Sequence, residues 1–204
     1  MPEVPEDRIV QFLRSKDFIQ KKTLGQGGFG KTVLLFDDII DEHFVCKKYA
    51  PLETSQREEF FSHFVREVKF LHLVHHRNIV RIFNYYLYPK NFAGYIVMEY
   101  IEGTAIDKYL ENRPEDINEI FEQVIEGFAH LESQRVLHRD IRQGNLLVTD
   151  EGTVKIIDFG FAKRVVSQDF SKSISLNWIG ESPAEFKDAI YDHRSEVYFC
   201  WQTV

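Results

Sequence analysis

Over roughly the first half of the chain, apolar residues come in short runs broken by turn formers, the pattern of β-strands. Phe18–Gly25 and Thr32–Asp37 read as two strands around a glycine-rich turn, and His43–Tyr49 reads as a third. Ile79–Leu87 and Gly94–Glu99 read as two more, joined by a turn at Pro89-Lys90-Asn91. One segment breaks the pattern. In Ser55–Val74, Phe60, Phe64, Glu67, Val68 and Leu71 recur mostly at three- and four-residue steps, which predicts one long helix. After Gly103 helical spacing takes over. Pro114 suits a first helical position, and Ile117, Ile120, Phe121, Val124, Ile125, Phe128 and Leu131 make an apolar face through about Ser133. Leu146–Val148 and Val154–Ile157 flank Asp150-Glu151-Gly152, a hairpin signal. Asp7–Ser15 has the spacing of a short amphipathic helix. The pattern therefore predicts a strand-rich first part with one long helix, a boundary near Ile101–Thr104, and a mainly helical remainder.

Composition changes this picture little. The chain has 204 residues, 44% of them hydrophobic and 28% charged, an ordinary globular balance. Its 25 basic and 32 acidic side chains leave a net charge of −7, which argues against nucleic acid as the main partner, because neutralising phosphates needs clustered Lys and Arg. Cys46 and Cys200 form no CxxC pair, so neither a zinc site nor a disulfide framework is expected, and two free thiols suit a reducing cytoplasm. The start, MPEVPEDRIV, lacks the apolar core of a signal peptide, and no apolar run is long enough to span a membrane.

The chemistry lies in five short motifs. Gly25-Gln26-Gly27-Gly28-Phe29-Gly30 sits between two predicted strands. A dinucleotide-binding loop would lead into a helix. A strand on each side instead suits a hairpin whose backbone N–H groups close over phosphate oxygens. Lys47 lies on the third strand and Glu67, 20 residues later, on the long helix. His138-Arg139-Asp140 is followed by Asn145, the spacing H-R-D-x-x-x-x-N, and then by Asp158-Phe159-Gly160 at the end of a predicted strand. Phosphoryl transfer needs oxygen-rich metal ligands, which Asn145 and Asp158 supply, and a carboxylate to take or orient a hydroxyl proton, which Asp140 supplies.

In this order the motifs resemble those of eukaryotic-type (Hanks-type) protein kinases, and the resemblance runs from about Phe18 to Gly160. It implies an α+β, two-lobed fold: an N-terminal extension at 1–17, an N-lobe at 18–100 with an antiparallel sheet and one long helix, and a partial helical C-lobe at 101–204. It also implies ATP and Mg²⁺ as cofactors, and transfer of the γ-phosphate to serine or threonine hydroxyls of a protein substrate. Asp140, Lys47, Glu67 and Arg142 are the catalytic candidates, and Asn145 and Asp158 the metal ligands. Gly25, Gly27, Gly28, Phe29 and Gly30 would cover the phosphates. Thr32, Val45 and Leu147 resemble the adenine sandwich, Met98 the gatekeeper, and Glu99, Tyr100 and Ile101 the hinge. Leu71, Ile82, His138 and Phe159 resemble the regulatory hydrophobic stack.

Beyond Gly160 the match weakens. Phe161–Glu185 resembles an activation segment in which Ser182-Pro183-Ala184-Glu185 stands where the family has A-P-E. Ser167, Ser171, Ser173 and Ser175 are its candidate phosphate acceptors, with Arg139, Lys163 and Arg164 to pair with the phosphate. Asp192–Tyr198 resembles the start of the central C-lobe helix, with Glu196 in place of aspartate. The largely apolar Glu196–Val204 stretch is a candidate surface for a protein partner. Arg142 replaces the usual lysine of serine/threonine kinases and also resembles some tyrosine kinases. Two other function classes stay open: a nucleotide-binding pseudokinase or scaffold, and a small-molecule phosphotransferase of the aminoglycoside type, to which Gly144–Val148 with Ile156–Asp158 is similar.

Overall fold

A computed structural model describes residues 17–27, 30–49 and 57–164, together with His193 and Glu196. Five strands form one antiparallel sheet: β1 (Ile19–Gly27), β2 (Gly30–Asp37), β3 (Glu42–Tyr49), β4 (Ile82–Tyr88) and β5 (Ala93–Glu99), in the order β1-β2-β3-β5-β4. The β2–β3 register sets Thr32 opposite Lys47 and Leu34 opposite Val45, and β3–β5 sets Val45 opposite Met98. Because side chains alternate along a strand, Thr32, Val45, Lys47 and Met98 fall on one face. Gly30 is required where it stands, since a Cβ there would lie 2.3 Å from the carbonyl oxygen of Lys48.

Helix α1 (Arg57–Leu73) packs on that face. Its spacing buries Phe61, Phe64, Val68 and Leu71, and Tyr49 of β3 meets the Phe61 and Phe64 rings at 5.6 and 5.4 Å. Each such side chain contributes about 1.5–3 kcal/mol by leaving water. The same stripe carries Glu67 inward, only 4% exposed.

The second part contains α2 (Ile106–Asn112), α3 (Ile117–Ser133) and five short strands. β6 (Gly103–Ala105), β8 (Leu146–Thr149) and β9 (Val154–Ile156) make a sheet in the order β6-β8-β9, and β7 (Val136–Leu137) pairs with β10 (Lys163–Arg164). The β8–β9 hairpin turns through Gly152 at φ +79°, a conformation glycine adopts without strain. α3 buries Ile120, Val124, Phe128 and Leu131 against this unit. The two parts meet where residues 74–81 leave α1. Ile79 bridges Ile156 of β9, Ile156 N–H donates to the Asn78 carbonyl at 2.8 Å, and Val80 N–H donates to that of Ile156 at 3.0 Å. The Asn78 amide donates to Gln123 Oε1 of α3 and to the Val154 carbonyl, both at 3.0 Å.

Several expectations shift. The strand expected over Ile79–Leu87 starts at Ile82, because residues 78–80 bond to β9 instead. Pro114 opens a short 3-10 turn, Pro114–Asp116, and the long helix begins only at Ile117. The Pro89–Asn91 turn is likewise one turn of 3-10 helix. Among the described residues of the second part, β6, β7 and β10 are too short to leave a periodic signal, and α2 is a short helix that the pattern does not single out. The expected helix at Asp7–Ser15 lies outside the described residues, as do Gly28, Phe29, the serines of the candidate activation segment, Ser182–Glu185 and the apolar stretch after Glu196. No helix among the described residues is long and apolar enough to cross a membrane.

Candidate active site

The cleft between the two parts holds a cavity of about 560 Å³. Thr32 and Val45 from the five-stranded sheet and Leu147 from β8 line it, with Met98, Glu99, Tyr100 and Ile101 along its rear. A neighbouring cavity of about 350 Å³ reaches Gly25, Gly30, Arg142 and Gly160. Lys47, Glu67 and Asp158 border both.

Lys47 is the centre of the charge arrangement. Its ammonium donates to Glu67 Oε1 at 2.7 Å and to Asp158 Oδ1 at 2.9 Å. Burial alone would lower its pKa, but the two carboxylates outweigh that and hold it above the ordinary lysine value, so Lys47 stays charged. Burial pushes the Glu67 carboxyl up against the pull of Lys47. Asp158 is pushed up by burial as well, yet Lys47, with help from the Gly160 N–H, holds it below the usual carboxylate range.

Asp140 is 3% exposed, and its Oδ2 accepts from Asn145 Nδ2 at 2.8 Å and from Arg142 Nε at 3.3 Å. Asn145 Nδ2 also donates to the Asp140 carbonyl at 2.7 Å, closing the loop on itself. The left-handed backbone at Arg139, φ 66°, and at Asp158, φ 64°, marks two turns held by their surroundings. At the first, Arg139 N–H donates to Glu196 Oε1 at 2.8 Å, and the Glu196 side chain is 1% exposed. His138 is fully buried, its ring 4.8 Å from that of Phe159. Its Nε2–H donates to the Ile157 carbonyl at 2.9 Å, and Nδ1 accepts the Asp140 N–H at 3.3 Å. That pattern requires the neutral ring, and burial lowers its pKa in agreement. Leu71 and Phe159 lie in the same buried core, with Ile82 packed against it.

The structure thus brings together Gly25, Gly30, Thr32, Val45, Lys47, Glu67, Met98, Glu99, Ile101, Arg142, Asn145, Leu147 and Asp158, with Asp140 bonded to Arg142 and Asn145. Gly27 ends β1. Sequence reasoning passed over Lys155, which donates to both Glu99 oxygens at 2.9 and 3.0 Å, while Arg81 N–H donates to Glu99 Oε1 at 2.7 Å. An isolated lysine between Val154 and Ile156 reads as the solvent side of a strand, so only the fold shows its partner.

The protein kinase domain family matches residues 18–194. The chain is 30% identical over 185 residues to the serine/threonine-protein kinase PrkC of Bacillus subtilis, covering 87% of this chain and 28% of that protein. It is 32% identical over 176 residues to the serine/threonine-protein kinase PknA of Corynebacterium glutamicum, covering 82% of this chain and 37% of the relative. A 33% identity over 152 residues links it to the serine/threonine-protein kinase TAO3 of Xenopus laevis, covering 72% of this chain and 16% of the relative. The chain therefore spans well under half the length of these relatives. With the match running through the glycine-rich hairpin, the Lys47–Glu67 pair and the Asp140–Asp158 region alike, the chain belongs to the protein kinase domain family.

Proposed function

We propose that the protein is an ATP- and Mg²⁺-dependent kinase that transfers the γ-phosphate to serine or threonine hydroxyls of protein substrates. The observation that carries this reading is the single cleft on which Lys47, Glu67, Asp158, Arg142 and Asn145 converge, with the Asp140 carboxylate bonded into its floor. Adenine fits between Thr32 and Val45 on one side and Leu147 on the other, against Met98 and the Glu99–Ile101 hinge. Gly25, Gly27 and Gly30 cover the phosphates, in a loop that also includes Gly28 and Phe29. Lys47, charged and steadied by Glu67, contacts the phosphates, and Arg142 steadies the γ-phosphate.

The donor set suits Mg²⁺, which favours hard oxygen ligands. Asn145 has its amide nitrogen committed to Asp140, which turns its Oδ1 to the role of ligand, and Asp158 uses Oδ1 for Lys47, which leaves Oδ2. Bound there, the ion would neutralise charge on the phosphates. Asp140 orients the incoming hydroxyl and takes its proton, held for that task by Asn145 and Arg142. The lobes divide near Ile101, and Cys46 and Cys200, outside any CxxC pair, suit the cytoplasm.

The test is transfer from γ-labelled ATP to generic protein substrates, beside a panel of small alcohols. Label on protein serine or threonine is expected, and Asp140→Asn should cut turnover by about 10²-fold or more while ATP still binds. Near wild-type turnover in that variant, or label on the alcohols alone, overturns the reading.

A further inference from the structure

The junction between the two parts carries a pair of histidines that the catalytic reading does not use. His76 lies in the 74–81 connection and His130 near the end of α3, and their rings stack at 5.0 Å with an interplanar angle of 22°. Both are half-buried. His76 Nδ1 accepts the Asn78 N–H at 3.3 Å, and the His76 carbonyl accepts the Ile79 N–H at 3.1 Å, so this ring helps shape the turn that presents Asn78 to β9 and α3. His130 Nε2 is buried with no hydrogen-bond partner among the described residues.

We propose that the stacked rings of His76 and His130 form a proton-sensitive latch holding the 74–81 connection, and with it the end of α1, on α3. A charged imidazole carries hydrogen on both ring nitrogens. On His76 that sets an N–H against the N–H of Asn78 and breaks the bond it now makes. On His130 it fixes an N–H at the buried Nε2, a donor with nothing to receive it, which is costly away from water. Two charged rings would also repel across the stack. The other charged groups facing the pair are Glu126, one turn back on α3, and Arg77 beside His76. Burial first, then His130, holds the His76 ring below the ordinary histidine value; Glu126 pulls the other way and Arg77 adds to the push.

The sign follows. A histidine whose folded pKa lies below its unfolded value binds fewer protons folded than unfolded, so its contribution is intact above about pH 6.5 and is lost as pH falls below that. Acid therefore loosens the connection behind α1, the helix that carries Glu67 to Lys47. The device works whether or not the cleft transfers phosphate, and its test needs no activity.

The experiment compares wild type with His130→Phe, which keeps a stacking ring that cannot take a proton, and with His130→Tyr. Melting temperatures are measured at about pH 7.5 and about pH 5.5, and the wild-type histidine ring signals are titrated by NMR. Wild type is expected to lose ~2–4 °C more than either variant on acidification. Its His76 signal should titrate below the ordinary histidine value of about 6.5. His138, also held low by burial, contributes equally to all three proteins and drops out of the comparison. Equal losses in wild type and variants overturn the proposal. So does a His76 ring that titrates at or above about pH 6.5, an outcome readable on wild type alone if neither variant folds.

Discussion

Lys47 shows how one residue can serve both the fold and the site. Taking an ammonium group this far out of water is unfavourable, and Glu67 at 2.7 Å and Asp158 at 2.9 Å make it tolerable. The reverse also holds: Glu67, 4% exposed, depends on Lys47 for compensation. Lys47→Met should therefore destabilise the protein by ~3 kcal/mol, because it strands a buried carboxylate. Adding Glu67→Leu should recover much of that loss, since an apolar pair suits the surroundings of Phe64 and Leu71. On the proposed function neither protein should transfer phosphate, because the phosphate contact assigned to Lys47 is gone from both. Chemical denaturation of the two variants beside wild type measures the first effect, and the kinase assay the second. A double variant no more stable than Lys47→Met would mean the pair is not coupled in folding. At this scale the sequence makes positions legible: Lys47, Glu67, Asp140, Asn145 and Asp158 sit in short motifs, and the fold gathers them at one cleft, where their roles are the ones proposed above. Glu196 was legible only as a position in a weak motif; that its carboxylate receives the Arg139 N–H depends on a chain reversal that no local pattern encodes.

Among the elements, legibility followed length except at the short β8–β9 hairpin, which its Asp150-Glu151-Gly152 turn signals. β1 to β5, α1 and α3 span seven residues or more and repeat their apolar spacing enough to be read. β6, β7 and β10 have two or three residues each, and their pairing is set by what lies opposite. α2 is a full seven residues, yet it reads poorly because only Ile106, Tyr109 and Leu110 face inward. β9 shows what such short elements contribute. Its three residues receive the 78–80 segment through Ile156 and hold the end of β5 through Lys155, whose ammonium grips both Glu99 oxygens. With side chains 17% and 21% exposed, that ion pair is sheltered enough to fix geometry without being a large source of stability. Lys155→Met should release the hinge end of β5 and weaken ATP binding by about three- to tenfold, equivalent to about 0.7–1.4 kcal/mol. Lys155→Arg should restore most of it. Isothermal titration with a non-hydrolysable ATP analogue reads this directly. Unchanged affinity in Lys155→Met would make the pair a surface detail.

On the scale of the whole molecule, a continuous connection runs through the wall of the cleft among the described residues. The 74–81 segment bonds to β9 and α3 on one side and continues into β4 on the other. Gly127 lets α3 close on that wall: a Cβ there would lie 2.6 Å from Ile156 Cδ1. The parts share buried residues from Phe64 to Ile156 in one core, so they should unfold together and a ligand bound between them should stabilise both. ATP with Mg²⁺ at a hundred times its dissociation constant would add about 2.7 kcal/mol. For a chain of this length that corresponds to a melting shift of roughly 5–10 °C. The full shift should need both components, because the cleft supplies Asp158 and Asn145 as oxygen donors and Lys47 as its central cation. Asp158→Ala should lose the part that depends on Mg²⁺ and keep the weaker shift given by nucleotide alone. Differential scanning calorimetry with ATP, with and without Mg²⁺, on wild type and Asp158→Ala separates the two contributions. Two resolved transitions in wild type, with ATP moving only one, would show that the parts fold as separate units. A shift in wild type indifferent to Mg²⁺ would remove Asp158 from the role of metal ligand.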